Sequence, residues 1–323
     1  MANGKILVLM NYKFKKISGD ASFREFYRVK KKNKTSIIVF AQKEKYKNLI
    51  VYSAVNNILN SHKILSPKLI KNYYKNNMIE ITDLGDKSFL DFIKNKKNKL
   101  SDYKKLVDLI IKLQKIKLKN NYYYEKKIIK FQKYSINNLH KESDLFFDWY
   151  LKHLFKNKKF KKIKNILKKE LDVIYKKLHF KNKYFTHRDF HASNIMISKK
   201  KLGLIDSQDA IIGNPLYDVA SLIDDVRIKL SKNLQDSLFK YYVLKSKFKK
   251  PDQVNLKNDF DILSVQRNLK ILGIFVRLHK RDNKPHYLKY LPYTWKLIEK
   301  RMKNPIFYNL NKLMKKNFLS KKI

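Results

Sequence analysis

The sequence predicts an α+β chain of two lobes, a small β-rich N-terminal lobe over residues 1–85 and a larger helical lobe over residues 86–323. Alternating and β-branched segments concentrate before residue 83, whereas apolar residues at helical spacing dominate after it. The 323 residues are 44% hydrophobic and 13% aromatic, enough apolar surface to fold by burial rather than remain disordered.

Taken in order, Lys5–Met10 is a short apolar run and a candidate first strand. The segment from Asp20 to Val29 passes from a small-residue turn into alternating residues, and Thr35–Phe40 is rich in β-branched types, which together predict a hairpin turning at Lys30 to Lys34. Leu49, Val51, Tyr52, Val55, Ile58 and Leu59 recur at helical spacing, with Pro67 beyond as a stop. Met78–Thr82 reads as a strand running into a hinge at Asp83-Leu-Gly-Asp86. Beyond it, Ser101 is placed to cap a helix carrying Leu106, Ile110 and Leu113, and further helices are expected over Leu145–Phe155, Ile163–Leu178, Tyr217–Leu230 and Leu263–His279. Two short strands, Asn194–Ile197 and Leu202–Ile205, interrupt the helices and are joined by Ser198 to Lys201.

The formal charge is +48, from 75 Lys and Arg against 27 Asp and Glu. Only eight of the cations are Arg, and the Lys residues are spread over almost every segment. Nucleic-acid readers favour Arg and gather it on one face, so a compositional drift toward Lys, Asn and Ile explains the charge better than a dedicated nucleic-acid surface. Weak, salt-sensitive polyanion binding is the expected side effect. Cysteine is absent, which excludes disulfides, thiolate zinc sites and a cysteine nucleophile. The opening apolar run is too short for a secretory signal and no run approaches the roughly 18 residues of a membrane helix, so the expected location is cytoplasmic, without a membrane partner.

The most informative stretch is His187-Arg-Asp189-Phe-His-Ala-Ser-Asn194, followed by Asp206 in Gly203-Leu-Ile-Asp. An isolated Asp or Asn is usually a turn or cap residue. The spacing His-x-Asp-x₄-Asn, then an apolar pair, a turn and an apolar-Asp, matches instead the needs of phosphoryl transfer. Asp189 would orient or accept the proton of an acceptor hydroxyl, Asn194 and Asp206 would hold Mg²⁺ against the phosphates of ATP, and His187 would brace the loop. A rival reading makes His187, Asp189 and His191 ligands of a hydrolytic metal, but no further His-rich motif completes it. Between the first strands, Gly19, Asp20, Ala21 and Ser22 can form a phosphate-covering turn, with Arg28, Lys43 and Lys45 as candidate phosphate cations.

A small β-rich lobe before a helical lobe carrying this loop is a protein-kinase-like plan, with clear departures from protein kinases. No acidic residue lies between Glu44 and Glu80 to give the usual helix-borne partner of a strand Lys, and Asp206 is followed by Ser207-Gln208 rather than Phe-Gly. No G-x-x-x-x-G-K-[ST] occurs, which excludes a P-loop enzyme of that pattern.

Thr186 to Met196, Gly203 to Ala210 and Gly213-Asn-Pro-Leu-Tyr-Asp218 resemble the aminoglycoside phosphotransferase and choline kinase superfamily. Within it the chain is most similar to bacterial kinases of N-acetylmuramate and N-acetylglucosamine, through Gly19 to Arg24 with Tyr27 to Val29, Asp83 to Asp86, Glu142 to Tyr150, and Gln266 to Phe275. The resemblance covers residues 17 to 310. It implies a bilobal kinase fold, ATP with Mg²⁺, Asp189 as base, Asn194 and Asp206 as metal ligands, the Gly19 to Ser22 loop over the nucleotide, and an amino-sugar site in the helical lobe. Residue chemistry adds Trp149 or Tyr150 as a stacking platform, and Glu142, Gln266, Arg267 and Asn268 as hydrogen-bonding groups. Asp209 would bind substrate or orient Asp206, and Asp218 would anchor the catalytic loop. Ser207 in place of a large apolar residue, Thr82 where Glu is common, and Asn214-Pro215 in place of Gly-Pro are departures bearing on the exact sugar. Two other readings remain: a kinase for an aminoglycoside or choline-like alcohol, and a non-enzymatic basic nucleic-acid-binding protein on a kinase scaffold.

Overall fold

The structure, a computed structural model, describes residues 13–17, 24–31, 34–41, 47–155, 157–249 and 252–317. In chain order these form β1 (Lys13–Ile17), β2 (Glu25–Lys31), β3 (Lys34–Phe40), α1 (Lys47–Ser61), β4 (Leu69–Tyr73), β5 (Met78–Thr82), α2 (Phe89–Ile93) and α3 (Leu100–Gln114). There follow β6 (Asn121–Tyr124), β7 (Lys127–Lys130), α4 (Ile136–Leu145), α5 (Asn157–Tyr175), β8 (Tyr184–Thr186), β9 (Ile195–Ser198), β10 (Lys201–Leu204) and β11 (Ile211–Gly213). The chain ends with α6 (Tyr217–Ile223), α7 (Lys232–Ser246), α8 (Gln253–Asp282), α9 (Leu291–Arg301) and α10 (Tyr308–Asn317). The candidate first strand Lys5–Met10 lies outside the described residues.

Contacts divide the chain into two compact units. One takes the residues up to Lys96 together with Lys119–Phe131 and His191–Ala210; the other takes Lys97–Leu118, Gln132–Phe190 and the chain from Ile211.

The first unit is built on an antiparallel sheet ordered β1-β2-β3-β5-β4. The expected hairpin is present, with β2 and β3 in register from Glu25↔Phe40 to Lys31↔Lys34. Strand β3 is apolar on both faces because both are covered. Ile37 and Val39 pack with Ile79, Ile81 and the α1 residues Leu49 and Tyr52, while Ile38 and Phe40 pack with Tyr27, Val29 and Met78. Pairing of β9 with β10 runs from Lys201↔Ser198 to Leu204↔Ile195. The linking Lys199 and Lys200 both take positive φ, 47° and 63°, as a two-residue hairpin turn requires.

The second unit is helical. Helix α8 is longer than the sequence suggested and is buried along most of its length, from Leu256 to Leu278. Gly273 permits this: a Cβ there would collide with the carbonyl of Leu145, where α4 passes into a π-helical stretch over Phe146–Leu151. Helix α4 begins nine residues before the expected Leu145, capped by Ser135 and Asn138 in a reciprocal box; its first turns are too polar to show an apolar stripe. Ser101 does not cap α3, which starts at Leu100 without a side-chain cap bond. Helix α6 stops at Ile223 rather than Leu230, and the carboxylate of Asp224, the residue that follows, is paired with the buried Arg301. No helix among the described residues is long and apolar enough to cross a membrane.

Candidate active site

The candidate catalytic loop leaves β8, which pairs with β11 from Ile211↔Thr186 to Gly213↔Tyr184. Asp218, in the first turn of α6, accepts hydrogen bonds from the backbone N–H groups of His187 at 2.7 Å and Arg188 at 3.0 Å. Its burial pushes the carboxyl up to about 6, against the opposing pull of His187 and the two N–H groups. Arg188 takes a left-handed φ of 74°, a conformation that a non-glycine residue keeps only where its surroundings over-determine it. Here the surroundings are the two N–H bonds to Asp218 on one side and an ion pair from Arg188 to Glu142 on the other. The turn buries His187 and Phe190 completely and leaves Asp189 between them half-exposed.

Glu142 organises the space behind that turn. One carboxylate oxygen meets Arg188 and, at 3.2 Å, Lys270; the other accepts from Tyr134 at 2.6 Å, Tyr217 at 3.1 Å and Gln266 at 3.1 Å. Burial opposes its charge, but Lys270 and Arg188 win and hold the Glu142 carboxyl down at about 2. Burial likewise opposes the Lys270 ammonium, which Glu142, Tyr217 and Asp189 nonetheless keep above the ordinary lysine range. The assignment of Glu142 to substrate hydroxyls is therefore corrected, whereas Gln266 keeps a buried Oε1 with no hydrogen-bond partner among the described residues. Glu142 has five protein donors, the Gln266 amide N–H₂ is given to it, and the pair supports the loop from beneath. Lys270, Tyr134 and Tyr217 were missed in the sequence; the four-residue interval between Gln266 and Lys270, one turn of α8, was the available signal.

Tyr150 requires a second correction. It is fully buried, stacked on Phe146, and its hydroxyl accepts from the Trp295 indole N–H at 2.7 Å, so its ring has no face to offer a sugar. Its neighbour Trp149 stays half-buried. Arg267 is buried at 4% exposure, with Nη1 lacking a hydrogen-bond partner among the described residues. The Asn268 side chain donates to Ser264, also in the interior.

In the first unit, the β9–β10 hairpin brings Asn194 and Asp206 together: the N–H of Ile205 donates to the carbonyl of Asn194 at 3.1 Å. The Asn194 amide nitrogen stands 3.3 Å from Nε2 of His191. Asp206, like Arg188, is left-handed, with φ 63°, and its carboxylate accepts from Gln208 at 2.9 Å and lies 3.9 Å from the buried guanidinium of Arg24. That guanidinium rests 6.0 Å from the centre of the Tyr52 ring, whose hydroxyl burial pushes up to about 12. Ser207 explains its own departure from a large apolar residue. It is fully buried and donates to Oδ1 of Asn56 on α1 at 2.7 Å, so a polar pair locks this corner. Asp209 is exposed beside Gln208.

Arg28 is corrected as a phosphate ligand, because its guanidinium is already held by Asp83 at 2.6 and 3.0 Å and by Asp86. Those hinge carboxylates raise its pKa further. Gly19, Asp20, Ala21, Ser22, Lys43 and Lys45 lie outside the described residues. The hydrolytic alternative finds no support: no group of three or more His, Asp or Glu that could hold a metal occurs among the described residues. A cavity of about 740 Å³ in the first unit, lined by Ser53, Asn57, Lys71 and Tyr124 among others, contains none of the candidate residues.

Comparison with known proteins agrees with this chemistry. The profile of a phosphotransferase enzyme family matches residues 13–251. The chain is 26% identical over 287 residues to the N-acetylmuramate/N-acetylglucosamine kinase of Pseudomonas aeruginosa, covering 87% of this chain and 81% of that protein. It is 24% identical over 283 residues to the kinase of the same name from Neisseria meningitidis, covering 85% and 81%. Among solved structures, a thermostable mutant of aminoglycoside phosphotransferase APH(4)-Ia superposes with a TM-score of 0.64 at 11% identity, covering 92% of this chain and 98% of the other. Plasmodium vivax ethanolamine kinase superposes with a TM-score of 0.62 at 16% identity, covering 95% and 86%. These likenesses establish the kinase-like α+β fold, and with the family profile spanning most of its length the chain belongs to the phosphotransferase enzyme family, as a small-molecule kinase.

Proposed function

We propose that this kinase transfers the γ-phosphoryl group of ATP to the anomeric hydroxyl of an N-acetylated amino sugar, N-acetylmuramate or N-acetylglucosamine, in cell-wall recycling. The observation that carries the reaction type is the strained turn at Arg188, clamped by Asp218 and Glu142, which presents Asp189 as the half-exposed carboxylate of the loop. The names of the two curated relatives, each matched over most of its length, support the acceptor.

In this reading Asp189 orients the acceptor hydroxyl and takes its proton as the sugar oxygen bonds to the γ-phosphorus and ADP departs with the bridging oxygen. Little covalent chemistry is asked of the protein, so positioning carries most of the rate. Asn194 and Asp206 form a pair suited to a hard cation that also binds phosphate oxygens, and would hold Mg²⁺, whose contribution there is to neutralise phosphate charge. Trp149, half-buried in the π-helical stretch, is the remaining aromatic candidate for the sugar face.

The test is the purified protein with Mg-ATP and a panel of N-acetylated amino sugars, plain sugars, choline and aminoglycosides, with the phosphate position read by NMR. A 1-phosphate on an N-acetyl sugar is the expected product. Phosphorylation confined to an amine-bearing acceptor would transfer the assignment to that class.

A further inference from the structure

Among the described residues, the fully buried arginines follow a rule with one exception. Arg301, 5% exposed, is held by both oxygens of Asp224 at 2.8 and 2.7 Å. Arg24, 6% exposed, faces Asp206, and the interior Arg188 and Lys270 share Glu142. Arg267, more buried than either other arginine, has no ion pair or hydrogen bond among the described residues. A guanidinium withdrawn from water without a counter-charge is costly, and buried charges are otherwise paired.

Its surroundings show what would complete it. Arg267 and Lys270 are three residues apart on α8, which places them on one side of the helix, and the Tyr217 hydroxyl feels the positive charge of both. Lys270 shares the Glu142 carboxylate with Arg188, the residue next to Asp189, so this cationic pair belongs to the neighbourhood of the catalytic carboxylate within the second unit. Glu142 cannot serve Arg267, since its oxygens are occupied by five other donors. What remains unmatched in the cluster is cationic, a fixed guanidinium fork whose Nη1 has no partner, beside an ammonium, and it matches a planar carboxylate.

We propose that Arg267, assisted by Lys270, is the subsite for a carboxylate on the acceptor, so that the enzyme selects an acidic amino sugar over its neutral counterpart. This rests on the amino-sugar reading above, in which N-acetylmuramate carries a carboxylate that N-acetylglucosamine lacks. A site built to pair a charged group rejects the analogue without it more strongly than an apolar pocket could, because the protein charge is then left unpaired.

The experiment measures kcat and KM for both sugars in the wild type, Arg267→Met and Arg267→Lys, with thermal unfolding of each variant alone and with the acidic sugar. The wild type should favour the acid by about 10²-fold in kcat/KM. Arg267→Met should lower kcat/KM for the acid at least about 30-fold further than for the neutral sugar, chiefly through KM, with Arg267→Lys between. The acidic sugar should raise the unfolding temperature of the wild type and not of Arg267→Met, which alone should unfold no lower than the wild type since it removes an unpaired charge. An equal fall on both sugars, or a wild type indifferent to the carboxylate, overturns the subsite while leaving the amino-sugar kinase standing. A wild type that phosphorylates neither sugar removes the acceptor reading and this proposal with it.

Discussion

Arg301 and Arg267 lie in the same helical unit, equally hidden from solvent, and differ in one respect. Arg301 is closed: two bonds to Asp224, a further carboxylate from Asp261 at 3.8 Å, and Ser264 donating to Asp224 behind it. Arg267 is open, with a cationic neighbour in Lys270 and no carboxylate of its own. A closed pair is a fastening between α6, α8 and α9, its worth lying in the cost of breaking it; an open cation stores a demand that a ligand can meet. The turn proposed to be catalytic stands between the two, since Glu142 closes upon Arg188 beside the half-exposed Asp189.

Substitutions test that contrast directly, and the heaviest loss should fall on the outward carboxylate. Asp189→Ala should lower kcat by about 10³-fold or more, while urea unfolding shifts by less than about 1 kcal/mol because Asp189 is half-exposed. Asp224→Asn should do the reverse. With Arg301 left buried beside only the more distant carboxylate of Asp261, unfolding free energy should fall by about 3 kcal/mol, whereas kcat of the folded fraction stays within about twofold.

Glu142→Gln tests the intermediate case and is readable through pH. The Glu142 carboxyl is lowered from 4.5 to about 2, so its stabilisation is fully present above about 4.5 and lost as pH falls through about 2. The stability gap between wild type and Glu142→Gln, on the order of 3 kcal/mol, should be constant at neutral pH and close over that acid window. Asp218, raised by burial to about 6, has the opposite sign: its contribution is complete below 3.8 and declines as pH rises through about 6. The two windows scarcely overlap, so stability of the wild type should rise with pH from about 2 to 4.5 and fall from about 4 to 6. In Glu142→Gln, stability should then fall with rising pH between about 4 and 6; a gap that stays open below pH 2 would show that the carboxylate charge is not what the site needs. The smallest effect is expected at Tyr150→Phe, which loses the bond from Trp295 at a cost of about 1 kcal/mol and leaves KM for sugar unchanged.

Much of the fold was legible because it rests on local pattern. Strands β2, β3 and β5, the hairpin of β9 with β10, and helices α1, α3 and α8 all follow from periodicity and turn residues. What escaped notice carried weak patterns, including β4 and β6, which alternate poorly, and the first turns of α4, whose cap at Ser135 is stronger than its apolar stripe. Site residues divided along the same line. Asp189, Asn194, Asp206 and the anchor Asp218 were visible in one short stretch, whereas Arg24, Asn56, Lys270 and Tyr217 needed elements far apart in the chain to be laid side by side. Glu142, Tyr150 and Arg28 were misread for a related reason: residue type shows what a side chain can bind, and only its neighbours show whether it is already bound.

Local pattern along the chain was enough for the reaction type and the chain's kinship, since a loop of fixed spacing is a local device whose chemistry its own residues express. Tertiary structure decided which polar side chains are spent on the protein and which are left for something else. That distinction depends on burial and counter-charge, quantities that arise only when segments more than a hundred residues apart, such as Glu142 and Gln266, are brought together in a place from which water is excluded.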